Sequence, residues 1–146
     1  MSSGDGGAGA VSLAGGCNCG AVRFEITAPL RSATYCHCTR CQRRTGTAAS
    51  ANGRVAAEAF HIVSGEDRLR SWNPAQGAEK FFCGDCGSAL FSRAAPDAPE
   101  VGVRLGAFDG DPGIRPSAHQ YVAYAAAWEP IPDDGLPRFP EGRPAS

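Results

Sequence analysis

Residues 36–41 read Cys-His-Cys-Thr-Arg-Cys and place three of the chain's seven cysteines close together. The remaining cysteines lie in a pair on either side, and we refer to the three groups as the first, central and third clusters: Cys17 and Cys19; Cys36, Cys38 and Cys41; Cys83 and Cys86. Such tight spacings are typical of metal sites, because neighbouring thiolates can converge on one ion. We therefore expect the fold to be organised around sulfur.

The composition explains why this chain would need a metal to fold. It has 146 residues, enough for one domain, and only 24 of them are Leu, Ile, Val or Phe. That fraction is low enough to suggest disorder in a highly charged chain, but the net charge here is only −1. Domains with so little apolar material usually depend on disulfides or a structural metal.

Disulfides are the alternative use of the cysteines. An odd number of cysteines and the short spacings within each cluster argue against a disulfide framework. The N-terminal residues have neither the cationic start nor the apolar run of an export signal. We therefore expect a reducing, cytoplasmic environment and metal-bound thiolates.

Seven thiolates divide into four plus three. Zinc takes four protein ligands in structural sites and three where a position stays open for water or substrate. The simplest division joins the first and third clusters into a closed site and leaves the central cluster as an open one. A site that joins the first cluster to Cys36 and Cys38, or a single zinc with three free thiols, is also compatible with the sequence.

Local geometry predicts how each cluster gathers its sulfurs. Residues i and i+2 of an extended strand point to the same face, so strand conformation would align Cys17 with Cys19 and Cys36 with Cys38. A tight turn would do the same for the third cluster. Its two glycines, Gly84 and Gly87, are expected to provide positive φ angles there.

The rest of the chain predicts mainly β structure in small antiparallel sheets. Alternating apolar residues indicate strands near 22–27, 60–63, 69–72, 89–92, 101–105 and 119–123. A helical turn is expected only around 39–45, and Asn52-Gly53 is a turn signal. Residues 1–11 and 140–146 are predicted to be a disordered leader and tail.

Charge and hydropathy exclude two classes of partner. The chain has 14 basic residues against 15 acidic ones, which leaves no broad cationic surface for nucleic acid. No stretch approaches the roughly 18 apolar residues of a membrane span. We expect neither nucleic acid nor a membrane as partner, and the sequence assigns no oligomeric state. The local basic group Arg40, Arg43 and Arg44 needs another explanation.

Four further residues have expected places. His37 lies between two candidate ligands and should point away from the metal. His119 is expected to pack on a strand. Trp72 and Trp128 are expected in the core.

With the clusters placed, the sequence resembles the glutathione-dependent formaldehyde-activating enzyme family, which shares its domain with centromere protein V. The resemblance covers roughly residues 13–139. It rests on four stretches in order, 16–24, 36–46, 60–65 and 82–90, and on the late stretches 119–128 and 134–137, which look like the family's closing segment. It implies a β-tent of two or three small antiparallel sheets stapled by zinc, which would occupy residues 12–139.

The resemblance also implies two zinc ions and an activity. It assigns the structural zinc to Cys17, Cys19, Cys83 and Cys86, and the catalytic zinc to Cys36, Cys38 and Cys41. The activity is that of a carbon–sulfur lyase, which adds a small thiol such as glutathione to an aldehyde such as formaldehyde, or catalyses the reverse. Arg43 and Arg44 are candidates for binding carboxylates of the thiol. A zinc-stapled binding module without turnover is the alternative.

Overall fold

A computed structural model describes residues 12–144. The predicted leader, 1–11, lies outside the described residues. The described part forms a three-stranded and a seven-stranded sheet, with one α-helix, which confirms the prediction of a mainly β fold in small sheets. The elements in chain order are β1 (Leu13–Gly16), β2 (Arg23–Ile26), β3 (Ser32–Cys36), α1 (Thr39–Thr45), β4 (Ser50–Ala56), β5 (Phe60–Ser64), β6 (Leu69–Trp72), β7 (Glu79–Cys83), β8 (Ala89–Arg93), β9 (Glu100–Arg104) and β10 (His119–Gln120).

The smaller sheet has the order β1-β2-β5 and carries much of the core. On β2, Phe24 and Ile26 are fully buried, whereas Glu25 between them is exposed. The Phe24 ring packs edge-on against Phe108 at 5.5 Å and lies 5.4 Å from Phe60. The alternation read from the sequence therefore corresponds to one buried and one exposed face.

The larger sheet has the order β10-β3-β4-β9-β8-β7-β6. Its neighbours are antiparallel except for β10 and β3, which run parallel. A parallel pair requires a long crossover connection, and more than 80 residues separate Cys36 from His119 here. The expectation of purely antiparallel sheets is thus corrected at one edge. This edge brings His119 beside Tyr35.

Asn52-Gly53 lies inside β4 and is not a turn, contrary to the sequence signal. Asn52 pairs with Arg104 and Gly53 with Val103. A Cβ on Gly53 would lie 2.9 Å from Cδ1 of Leu30, so the glycine is needed for close packing and not for a turn.

Residues 140–144 belong to the segment predicted as a tail. They hydrogen-bond along β10 and β3: the Tyr121 N–H donates to the carbonyl of Glu141 at 2.9 Å, and Arg143 donates to Thr34 Oγ1 at 2.8 Å. These contacts supply partners for backbone and side-chain groups at the sheet edge.

The two tryptophans are not in the core, so that prediction was wrong. Trp72 is 43% exposed and Trp128 66% exposed. Trp72 lies on β6, an edge strand of the larger sheet, where one side of the strand has no neighbour to cover it. Among the described residues, no helix has the length and apolar character needed to cross a bilayer.

Candidate metal centres and active site

The structure brings the first and third clusters together. Cys17 and Cys19 lie in the turn between β1 and β2, Cys83 is the last residue of β7, and Cys86 lies in the turn between β7 and β8. The Cys17 and Cys19 sulfurs are 3.6 Å apart, and the Cys19 and Cys83 sulfurs 3.8 Å. Sulfurs on a tetrahedral zinc with Zn–S bonds of about 2.3 Å lie about 3.8 Å apart. All four sulfurs lie within 4.8 Å of one another, so they are close enough to bind a single ion.

The first cluster converges through a turn and not through strand alternation, which corrects the predicted mechanism. The Gly20 N–H donates to the Cys17 carbonyl at 3.2 Å, and Gly20 has a φ of 80°. The Val22 N–H also donates to the Cys17 sulfur at 3.2 Å. The turn thus brings the two thiols together and supplies an N–H donor to the buried one, Cys17.

Of the two glycines in the third cluster, only Gly87 has the predicted positive φ, at 81°. Gly84 does not, so that expectation was wrong. A Cβ on Gly84 would lie 2.6 Å from Cδ of Arg70 and 3.0 Å from the backbone carbonyl oxygen of Arg68, so the close approach of the backbone before β6 favours glycine there.

The hydrogen bonds around Cys86 favour its thiolate. Ser88, through its hydroxyl and then its backbone N–H, lowers the pKa of Cys86 to about 5. Hydrogen bonding to the charged form of a thiol is the expected cause of such a shift. A thiol that ionises easily is also one that binds a metal readily.

The central cluster forms a separate group of three sulfurs, all within 4.8 Å of one another. Cys36 ends β3, Cys38 precedes α1 in extended conformation, and Cys41 lies in the first turn of the helix. The Cys41 N–H donates to the Cys38 sulfur at 3.2 Å, so this thiol caps the helix. The helix predicted at 39–45 is confirmed, and its start is what gathers the three thiols.

Hydrogen bonds in the central cluster favour the thiolate form of Cys41. Hydrogen bonds from Cys36 and Cys38 lower the pKa of Cys41, with smaller contributions from Ser50 and Arg104. The Arg104 side chain is itself fixed by Asn52, at 2.9 Å. The sheet therefore supplies a positive charge on the same face as the thiols.

A cleft of about 430 Å³ opens on α1 next to this cluster. It is lined by Thr39, Arg40, Arg43, Arg44 and Trp72. Both arginines singled out as substrate-binding candidates thus lie in the cleft.

Lys80 adds a further positive charge near the cleft, and sequence reasoning missed it. Its Nζ lies 5.8 Å from the centre of the Trp72 ring, and the Arg40 guanidinium lies 5.4 Å from the same ring. Burial, followed by the charge of Arg40, lowers the pKa of Lys80. The one available signal was that Lys80 is the only lysine in the chain and lies close to the third cluster.

The cations of the cleft are poorly paired. Within the described residues, none of Arg40, Arg43, Arg44 and Lys80 forms a salt bridge, although other arginines do. The buried Nε of Arg44 has no hydrogen-bond partner in this part of the chain. Burial lowers the pKa of Arg44. Burying cations without a partner is unfavourable, and an anion bound in the cleft would supply that partner.

A second polar group lies near β3 and β10. His37 Nε2 lies 2.8 Å from His119 Nδ1, and His119 Nε2 lies 2.8 Å from Asp134 Oδ2. Burial and then His119 lower the pKa of His37, and the hydrogen bond from His119 lowers the pKa of Asp134. His37 belongs to neither cysteine group, as expected. Sequence reasoning did not find this hydrogen-bonded series of His37, His119 and Asp134, because its members come from distant segments.

The fold and the sites together define a mainly β protein with two cysteine groups that can bind metal ions, one beside a cationic cleft. The sequence profile of the family described as glutathione-dependent formaldehyde-activating enzyme matches residues 12–124. The chain belongs to this family.

Individual relatives agree with this placement. A protein of Penicillium rubens is 30% identical over 100 residues, covering 65% of this chain and 52% of its own length. One of Phaeosphaeria nodorum is 27% identical over 89 residues, covering 60% of this chain and 47% of its own. Both carry a provisional assignment as glutathione-dependent formaldehyde-activating enzymes, and the chain spans about half their length. A crystal structure of a Rhodobacter sphaeroides protein is similar with a TM-score of 0.54 and 26% identity, covering 70% of this chain and 91% of that one.

Proposed function

We propose that this chain is a zinc-dependent enzyme that adds a small thiol of the glutathione type to an aldehyde such as formaldehyde, or catalyses the reverse carbon–sulfur cleavage. The observation that carries the proposal is that α1 contributes both to the three-thiol group and to the cation-lined cleft beside it. Membership of the formaldehyde-activating family supports it.

The donor sets favour zinc at both centres. Sites made only of cysteine sulfur select soft or borderline metals, and zinc is the usual occupant. The first and third clusters together would close a structural site with four thiolates. The central cluster would supply three, which leaves a ligand position for substrate. Zinc there would supply a Lewis acid that favours the thiolate form of a substrate thiol.

The cleft residues would bind and orient the thiol. Three thiolates around a divalent ion leave a net negative charge, which the substrate's own thiolate would increase. Arg40, Arg43 and Arg44 offset that charge and can bind carboxylates in bidentate geometry. Trp72 offers an apolar face for the rest of the ligand.

The proposed reaction is an addition to a carbonyl. The substrate sulfur forms a bond to the carbonyl carbon while the π bond of the C=O group breaks, and the oxygen gains the proton that the thiol has lost. The product is a thiohemiacetal, and the reverse reaction returns thiol and aldehyde. No oxidant or reductant is required.

Substitution in the cleft tests the role of the arginines. Arg43→Ala in the zinc-loaded protein should raise KM for glutathione about tenfold, because a charge-assisted hydrogen bond is worth about 1.5–3 kcal/mol. Steady-state assays with formaldehyde should show little change in KM for 2-mercaptoethanol, which has no carboxylate. Arg115→Ala is the control, since Arg115 pairs with Asp111 outside the cleft.

Two outcomes would contradict the proposal. If Arg43→Ala raises KM equally for glutathione and for 2-mercaptoethanol, the cleft does not bind the carboxylates of the thiol. A zinc-loaded, folded protein that turns over neither thiol would favour a binding module without catalysis.

A further inference from the structure

The sheet carries a second cavity on the face opposite the central cluster, and we call it the rear cavity. It has a volume of about 290 Å³. Tyr35 is paired with Ala51 and with His119, so these three side chains share one face. Cys36 is the next residue of β3 and therefore points to the other face. The sheet separates the rear cavity from the three thiols.

The lining of the rear cavity carries carboxylates, whereas that of the cleft on α1 is cationic. The rear cavity's lining includes the carboxylates of Glu129 and Asp134, and no lysine or arginine. A neighbouring cation, Arg138, donates to the carbonyls of Ile131 and Pro132 in the cavity wall, at 3.4 and 2.9 Å. Within the described part of the chain, Glu129 makes no salt bridge, and Asp134 pairs only with His119. Much of the remaining lining is small and apolar: Ala48, Ala49, Ala51, Pro130, Ile131 and Pro132.

The buried imidazole of His37 lines this cavity and has one nitrogen without a hydrogen-bond partner among the described residues. His37 is only 5% exposed. The Asp134 carboxylate accepts the Nε2–H of His119, so with neutral rings the Nδ1 of His119 accepts the Nε2–H of His37. The Nδ1 of His37 is then left as an acceptor. No donor to it is present among residues 12–144.

We propose that the rear cavity binds a small organic cation, a primary ammonium group on a short aliphatic chain. An ammonium offers three N–H donors and no acceptor, which matches a lining of carboxylates and an unpaired imidazole nitrogen. The alanine and proline side chains bury the aliphatic part. This site is independent of the thiol and aldehyde chemistry, because it uses none of the cysteines or arginines.

The test uses three probes of similar shape with the full-length, metal-loaded protein: n-pentylammonium, n-pentanol and pentanoate. Isothermal titration should show that n-pentylammonium binds at least about fivefold more tightly than n-pentanol, and pentanoate should not bind there. Glu129→Gln should weaken n-pentylammonium binding about fivefold. Glu58→Gln is the matched control, since Glu58 is exposed and does not line the cavity.

Three results would overturn the proposal. Equal binding of n-pentanol would show an apolar cavity without charge selection. Unchanged n-pentylammonium affinity in Glu129→Gln would place the binding elsewhere. Ala51→Leu places a larger side chain on the face that lines the cavity. If circular dichroism shows this variant to be folded and its affinity for n-pentylammonium is undiminished, the ligand binds elsewhere.

Discussion

Gly87 positions the third cluster through its backbone. Its φ of 81° is a left-handed conformation, and its N–H donates to the Cys83 carbonyl at 2.8 Å. A Cβ there would touch no atom within 4 Å, so any cost of substitution arises from backbone strain alone. A substitution at Gly87 therefore introduces conformational strain without a steric clash.

Gly87→Ala should lower the free energy of unfolding by about 1–2 kcal/mol, the cost of a left-handed conformation for a residue with a Cβ. Urea unfolding at a fixed zinc concentration measures it. Gly106→Ala is the control, because Gly106 has neither a positive φ nor an atom near its Cβ position. Equal effects of the two substitutions would show that the turn does not require its left-handed residue.

The Arg23–Asp109 pair gives stability a pH dependence. Arg23 donates to both carboxylate oxygens, which lowers the pKa of Asp109 below its usual 3.8. A carboxyl whose pKa is lower in the folded state stabilises the fold above its unfolded pKa, and that stabilisation is lost as the pH falls through the folded value.

The difference in melting temperature between wild type and Asp109→Asn should therefore be constant above about pH 5 and shrink below about pH 4. Melting curves across this range measure it. Asp97→Asn is the control, since Asp97 is exposed and forms no salt bridge within residues 12–144. A difference that persists unchanged at pH 3 would exclude the ion pair as its cause.

Among the elements, α1 is joined through one side chain to residues 122–125, which we call the closing segment. The Gln42 amide donates to the carbonyls of His37 and Tyr124, each at 2.8 Å. The second contact joins the helix to residues 82 positions away. Gln42 therefore orients the helix that carries both Cys41 and the cleft arginines.

Gln42→Ala should cost about 1–3 kcal/mol, because it leaves two carbonyls without their donor. Hydrogen exchange should show faster exchange in α1 and at residues 122–125. Gln76→Ala in the exposed loop before β7 is the control. If exchange becomes faster only in α1, the closing segment is held in place by other contacts.

The elements also show which features could be read from the sequence. The β2 and β5 strands follow regular alternation and were predicted, as was α1. Four strands, β1, β3, β4 and β7, were not among those predicted. In β1 and β4 the reason is that glycines and alanines carry no alternation signal. Gly53 was read as a turn, since only tertiary contact reveals that Leu30 packs over it. The cysteine clusters were visible because their spacing is local. His119, the partner of His37, lies 82 residues further along the chain, and Asp134 then pairs with His119.

For the whole molecule, the four-thiol group joins the two sheets. The first cluster follows β1 of the smaller sheet, and the third lies at the end of β7 of the larger one. In a chain with so few large apolar residues, a link between such distant segments contributes strongly to the stability of the fold. The central cluster joins only β3 to α1, so its loss should affect the fold less.

Cys86→Ser is therefore expected to unfold the domain, whereas Cys38→Ser should remain folded with one metal fewer. Circular dichroism of the two variants, purified under the same reducing conditions, distinguishes them. Comparable loss of structure in both would contradict this division between a structural and an open centre.

Zinc content per folded chain is the measurement that bears most directly on the central claim, that two separate thiolate centres each hold one ion. Protein purified under reducing conditions should contain two zinc ions per chain, with Cys38→Ser retaining one. A wild-type chain with a single zinc and three freely titratable thiols would contradict the account.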